Sequence, residues 1–175
     1  NEVLKFDALR ETLGYDDATA DTIDAVFEEA GKLASEVVHP LNQIGDAEGA
    51  KLEDGVVSLP EGFKDAFDQY KEAGWATLHA AEEFGGMGMP HLVAVLVDEM
   101  FSAANHSWYM YASLTHGAVS AIQTWGTEEQ KAKFLPKMST CEWTGTMCLT
   151  EPHAGTDLGM LKTRAEPNGD GSYAI

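Results

Sequence analysis

Apolar and polar positions follow a helical period over most of the chain and a strand period only near its end. Residues 1–18 are acidic and weakly patterned, which predicts a short helix and then a turn at Gly14-Tyr15-Asp16-Asp17. From Thr19, Ile23, Val26, Phe27, Ala30, Ala34, Val37, Val38 and Leu41 recur three to four residues apart with acids between them. That spacing predicts an amphipathic helix, with Pro40 as its exit. Lys51-Leu52-Glu53 and Val56-Val57-Ser58 flank Asp54-Gly55, a strong hairpin signal. Pro60 suits the first position of the next helix, with Phe63, Ala66, Phe67 and Tyr70 as its buried stripe and Gly74 as its stop. The loop from Glu82 to Pro90 opens a helix in which Leu92, Val93, Val95, Leu96, Val97, Met100 and Phe101 leave little wet face, so a central position is expected. Another helix is expected from about His116 to Trp125, with Gly126 as C-cap. Thr127-Glu128-Glu129-Gln130 then forms a capping box, with Lys131 and Lys133 behind it and Pro136 as the expected end.

Near Ser139 the period changes. Trp143, Gly145, Met147 and Leu149 alternate with Thr144, Thr146, Cys148 and Thr150, a strand pattern rich in threonine. Leu161 to Ala165 is a second candidate strand. After the turn Asn168-Gly169-Asp170-Gly171, Ser172-Tyr173-Ala174-Ile175 begins a third. The fold class is mainly α: a helical domain over residues 1–140, followed by the opening of a β domain over 141–175. The chain lacks an initiator methionine and stops inside an apolar run, so a piece of a longer protein is expected.

Composition narrows the partners. The 175 residues carry 11 Lys+Arg against 29 Asp+Glu, a formal charge of -18. Nucleic acid and anionic lipid both demand clustered cations, so neither is an expected partner. An anionic ligand would have to rely on backbone donors and hydroxyls, because Arg10 and Arg164 are the only guanidinium groups. No apolar run reaches the length of a membrane span, and the N-terminal stretch is not patterned as a signal peptide. Two cysteines at this length make no disulfide framework, so a reducing compartment, the cytoplasm, is expected.

Most candidate chemistry fails on spacing. Cys141, Cys148 and His153 lack the close cysteine pair of a structural zinc site, so no metal is expected. The acidic pairs Glu82-Glu83, Asp98-Glu99 and Glu128-Glu129 fit solvated helix starts. Gly85-Gly86-Met87-Gly88 follows no strand and is not a dinucleotide fingerprint; a turn allowing close approach suffices. The stretch Cys148-Leu149-Thr150-Glu151-Pro152-His153-Ala154-Gly155-Thr156-Asp157 offers more. It places a hydroxyl at a strand end, then a glycine, a second hydroxyl and free N–H groups that can meet a flat or phosphorylated ligand. A well-capped strand-to-turn corner explains the same residues equally well.

Thr150-Glu151-Pro152-x-Ala154-Gly155-Thr156-Asp157 resembles the flavin-binding signature of the acyl-CoA dehydrogenases. The likeness extends to Phe84-Gly85-Gly86-Met87-Gly88, to Trp125-Gly126-Thr127-Glu128-Glu129-Gln130-Lys131 with Phe134-Leu135-Pro136, and to Asn168-Gly169-Asp170-Gly171-Ser172-Tyr173. The long N-terminal segment with its hairpin is similar to the larger subgroup that includes 3-methylthiopropanoyl-CoA dehydrogenase. The signature departs from the family where a small residue is usual three positions after the Asp; here Met160 stands, with Gly159 before it.

The resemblance implies an N-terminal helical bundle domain followed by the first strands of a β-barrel-like middle domain. It implies FAD as cofactor and α,β-desaturation of an acyl-CoA thioester. A glutamate removes the α-proton, the β-hydrogen leaves as hydride to flavin N5, and an electron-transfer flavoprotein collects the electrons. On the family pattern, the backbone at Met147 and Leu149 and the hydroxyl of Thr150 meet the flavin ring. Gly155 and Thr156 meet the pyrophosphate and the neighbouring CoA arm, and Leu114, His116 and Gly117 sit where the acyl pocket is lined. The catalytic glutamate matches no Glu of this chain, so the piece alone is expected to be inactive. The family's dimers and tetramers imply a homo-oligomer. A non-catalytic helical interaction module and an acyl-CoA oxidase remain alternatives, separable by the downstream sequence and by the oxygen reactivity of the reduced flavin.

Overall fold

The computed structural model describes residues 5–175. Seven α-helices carry the described part: α1 (Phe6–Leu9), α2 (Ala20–Leu33), α3 (Leu41–Glu48), α4 (Phe63–Glu72), α5 (His91–Ala104), α6 (His106–Trp125) and α7 (Glu128–Ser139). Two small hairpins interrupt or follow them: β1 (Lys51–Glu53) with β2 (Val56–Ser58), and β3 (Glu166–Pro167) with β4 (Tyr173–Ala174). The first four residues of the predicted N-terminal helix lie outside the described residues.

Local chemistry sets the helix ends. The Thr19 hydroxyl accepts from the Thr22 amide at the start of α2. At α7 the box closes in both directions: the Thr127 hydroxyl accepts from the Gln130 amide (3.2 Å), and the Gln130 side chain accepts from the Thr127 amide (2.9 Å). In the first hairpin Leu52 faces Val57 across the ladder, and Asp54 (φ 49°) and Gly55 (φ 78°) form the turn as expected.

Helices α2, α5, α6 and α7 pack pairwise in that order, and α4 drives an aromatic wedge into the bundle. Tyr70 meets Phe101 and Trp108 edge-on, with ring centroids 5.2 and 5.6 Å apart. The Trp108 indole N–H donates to the Phe63 carbonyl at 3.1 Å, so this large buried side chain keeps its polar atom paired. Each aromatic pair contributes about 0.5–1.5 kcal/mol beyond area burial, which stabilises the seating of α4 on α5 and α6.

Five expectations are corrected. Pro40 does not end the helical path: α2 runs into a π turn (Ala34–Val38), and Pro40 with helical angles (φ -58°, ψ -27°) starts α3. A proline costs nothing where its missing N–H has no partner to lose. The next helix begins at Phe63, after Gly62, because Pro60 serves in the preceding turn. Helix α5 buries Val93, Ala94, Val97, Phe101 and Ala104 but leaves Leu92, Val95 and Leu96 exposed, so it flanks the core on one face. Helix α6 begins ten residues earlier than expected, where the Asn105 side chain caps it by accepting from the Trp108 amide at 3.1 Å. Pro136 lies inside α7, whose last turn is held by buried Leu135 and Met138.

The tail departs further. Residues 144–150 and 161–165 carry no ladder among the described residues, since a strand pattern needs a neighbouring strand to pair with. Only the third candidate pairs, Tyr173 opposite Pro167 and Ala174 opposite Glu166.

Candidate functional site

The stretch from Trp143 to Met160 leaves α7 and crosses the surface of α6. It is pinned to the helices at its start. The Trp143 amide donates to the Lys137 carbonyl (3.0 Å), and its ring lies against Phe134 and beneath the Lys137 ammonium, 4.7 Å from the ring centroid. Two residues on, the Gly145 amide donates to the Thr115 hydroxyl of α6 at 3.1 Å. A Cβ at Gly145 would fall 2.6 Å from the Ala118 Cβ, so only glycine lets the segment lie this close to the helix.

Beyond Gly145 the backbone is free. Among the described residues, no N–H from Thr146 to Thr150 donates to another group of the chain, while Met147, Leu149 and Thr150 are exposed. The chain then folds into a tight corner. The Glu151 amide donates to the Ala154 carbonyl (2.9 Å), and the Ala154 amide returns the bond (3.1 Å) around Pro152 and His153. Within the signature the carboxylate of Glu151 turns inward. It accepts from the Thr163 hydroxyl (2.5 Å), the Thr163 amide (2.8 Å) and the Lys162 amide (3.0 Å), which holds its pKa below the usual carboxylate range. His153 joins it at 3.3 Å and also reaches the Met160 carbonyl (3.1 Å). The Asp157 carboxylate accepts from the Gly159 amide at 3.0 Å, which closes the next turn with Met160 pointing into solvent.

Of the five residues expected at the flavin, Thr150 and Gly155 flank the Glu151–Ala154 corner and lie beside each other, and Met147, Leu149 and Thr156 are likewise exposed. A Cβ at Gly155 would lie 4.0 Å from the Thr150 methyl. Their donor set is a run of N–H groups and two hydroxyls with no charged side chain, which fits the N1 and O2 edge of an isoalloxazine and a pyrophosphate.

Leu114 and His116 part company. Leu114 lines an apolar cavity of about 420 Å3 between α4 and α6, with Thr144, Gly145 and Thr146 as its near wall. His116 lines a second cavity of about 430 Å3 with His79, His91 and Gly117. Positions two apart on a helix point about 200° away from each other, so the two side chains cannot share a face. In that second cavity His79 lies 5.1 Å, centroid to centroid, from both His91 and His116. Burial holds the pKa of His79 and of His116 below 6.5, with the neighbouring imidazoles adding to the effect and Asp98 opposing it. Sequence reasoning missed both the histidine cluster and Tyr111 with Phe63 and Phe67 in the apolar cavity. The spacing of Met110, Tyr111 and Leu114 would have exposed the latter had α6 been extended back to Asn105.

The loop Gly85–Gly88 is structural. The Met87 and Gly88 amides donate to the Thr77 and Ala80 carbonyls, and a Cβ on Gly86 would sit 1.9 Å from the Ala80 carbonyl oxygen. Cys141 is buried with its thiol pKa pushed up to about 11 by burial, whereas Cys148 is exposed. No helix among the described residues is long and apolar enough to cross a membrane.

The sequence profile of the acyl-CoA dehydrogenase N-terminal domain matches residues 21–142, and the chain belongs to the acyl-CoA dehydrogenase family. It is 44% identical over 161 residues to 3-methylmercaptopropionyl-CoA dehydrogenase of Ruegeria pomeroyi, covering 92% of this chain and 27% of that protein. It is 38% identical over 170 residues to a butyryl-CoA dehydrogenase of Syntrophomonas wolfei, covering 95% of this chain and 27% of that protein. Among solved structures, a glutaryl-coenzyme A dehydrogenase in complex with glutaryl-CoA superposes with a TM-score of 0.74 at 25% identity, over 87% of this chain and 37% of that one. The chain thus spans about a quarter of the length of the Ruegeria and Syntrophomonas relatives.

Proposed function

We propose that the chain is the N-terminal part of an FAD-dependent acyl-CoA dehydrogenase, with residues 1–140 as its helical domain and residues 141–175 as the start of its middle β domain. The whole protein desaturates an acyl-CoA thioester between its α and β carbons and passes the electrons to an electron-transfer flavoprotein. It acts as a homo-oligomer in the cytoplasm. FAD, when bound, supplies the acceptor for the hydride that leaves the β carbon. The chain's own part would be to hold and polarise: the N–H groups at Met147 and Leu149 and the Thr150 hydroxyl would donate to the ring edge where negative charge develops. Gly155 and Thr156 would hold the pyrophosphate and the CoA arm, and Leu114 would line the acyl side.

The observation that carries this reading is the split within the signature. Glu151 is consumed inward by Lys162 and Thr163, while every donor assigned to the cofactor is exposed and has no partner among the described residues. Glu151 is thereby a structural knot and no proton acceptor. The glutamate that removes the α-proton belongs to the remainder of the protein, so the 175-residue piece neither turns over acyl-CoA nor holds FAD tightly. The test is a panel of acyl-CoA thioesters with an artificial electron acceptor on the full-length protein, run beside its absorbance spectrum. A flavin spectrum bleached by an acyl-CoA is expected. A colourless protein, or one inert to every thioester, overturns the reading, and rapid reoxidation by oxygen reassigns it as an oxidase.

A further inference from the structure

We propose that Thr115, a residue of α6 remote in sequence from the signature, is a positioning residue for the flavin-edge donors at Met147, Leu149 and Thr150. The inference rests on the function proposed above. Thr115 is fully buried, and its hydroxyl is committed in both directions. It donates to the Tyr111 carbonyl one turn back (3.3 Å) and accepts from the Gly145 amide (3.1 Å). A hydroxyl whose proton is bonded within its own helix turns its lone pairs to a fixed place, and the β-branch of threonine restricts its rotamers further. The acceptor that meets Gly145 is thus as rigid as the helix that carries it.

Close packing holds Gly145 to the same spot. A Cβ there would meet the Met138 Cε at 3.2 Å as well as Ala118, so the segment touches both α6 and α7. Past this point the amides are tethered by nothing else. Among the described residues, no N–H from Thr146 to Thr150 donates to the chain until the Glu151–Ala154 corner closes. Met147 follows Gly145 by two residues, at most about 7 Å of chain, so a shift at Gly145 reaches it with little slack. Donors at a site of developing charge act from about 2.7–3.1 Å, and a displacement of about 1 Å can lower a rate on the order of 10²-fold. Thr115 therefore acts on the flavin edge through Gly145, without touching cofactor or substrate.

The experiment uses the full-length protein and reads FAD affinity of the apoprotein, the midpoint potential of the bound flavin, and kcat and KM for an acyl-CoA that the parent oxidises. Thr115→Val keeps the branched shape and removes the acceptor. It is expected to weaken FAD binding and to lower kcat about tenfold or more with KM little changed. The potential should fall by about 30 mV, the two-electron equivalent of a tenfold loss in affinity for the reduced form relative to the oxidised one. Thr115→Ser, which retains the hydroxyl, is expected to return all of these toward parental values. Gly145→Ala pushes the same segment off α6 and should lower the potential too, and adding Ala118→Gly should restore it. Parental affinity, potential and kcat in Thr115→Val overturn the inference and leave the function standing, as does an equal loss in Thr115→Ser. Where Thr115→Val yields no folded protein, the Gly145 pair decides: a parental potential in Gly145→Ala, or no recovery with Ala118→Gly, overturns the inference. A parent that binds no flavin and oxidises no acyl-CoA overturns both.

Discussion

Thr150 carries the sharpest prediction at the scale of single residues. Its hydroxyl is exposed, takes no part in the bonds that close the corner, and stands beside Gly155. In the full-length enzyme, Thr150→Ala is expected to cost turnover on the order of 10²–10³-fold, the effect of removing one donor from a site of developing charge. An ordinary hydrogen bond, at about 0.5–1.5 kcal/mol, would give far less. Stopped-flow bleaching of the flavin by substrate separates the two, and a rate within a fewfold of the parent's would remove Thr150 from the site. Much of the corner was legible in the sequence, because the signature is local: hydroxyl, glycine and hydroxyl lie within seven positions. The inward turn of Glu151 was not, since its partners lie eleven and twelve residues away and are mostly backbone amides that any residue could supply.

Among the elements, α7 shows how a short polar sequence can fix a helix start. Its capping box is complete, and its first turn carries Glu128 and Glu129. Thr127→Ala is expected to cost about 1 kcal/mol locally. Amide exchange at Gln130 and Lys131 should then accelerate roughly fivefold, with little change in the buried aromatic core. Hydrogen exchange followed by mass spectrometry reads this directly. The same local signals made the first hairpin and the Gly126 cap predictable. Tertiary packing overrode them elsewhere. Pro136 continues inside α7 because Leu135 and Met138 are anchored in the core, and α3 follows Pro40 because a π turn absorbs the break. The front half of α6 escaped the periodic reading because Trp108, Tyr109 and Ala112 bury one face while polar residues beside them show no regular stripe. The alternation from Trp143 to Leu149 is a strand pattern, and it says nothing of what the segment pairs with.

For the whole molecule, acid is the condition that tests the fold. His79 and His116 have pKa values below 6.5 in the folded state, mainly because they are buried, while in the unfolded chain they titrate near 6.5. Below pH 6.5 the unfolded state therefore binds more protons, and stability falls as pH drops toward the folded values; above 6.5 these two residues contribute no slope. Asp98 acts in the opposite sense on both and softens the effect. Thermal unfolding between pH 8 and 5 should show a flat region that bends downward near 6.5. His79→Gln should reduce the bend, and an identical bend in that variant would show that the cluster is not its source. This cluster gathers the 76–81 stretch, α5 and α6 around one cavity, a juxtaposition that no spacing of the histidines along the chain could announce.

The single bond from Gly145 to Thr115 has a practical consequence for recombination among relatives. The helical part and the corner meet through a contact thirty residues apart in sequence, with no room for a methyl group. A chimera joined between 139 and 145 places donor and acceptor on different parents, and any mismatch in seating height is passed straight to the residues that follow. Crossovers placed after the Asn168–Gly171 turn keep that registration within one parental template.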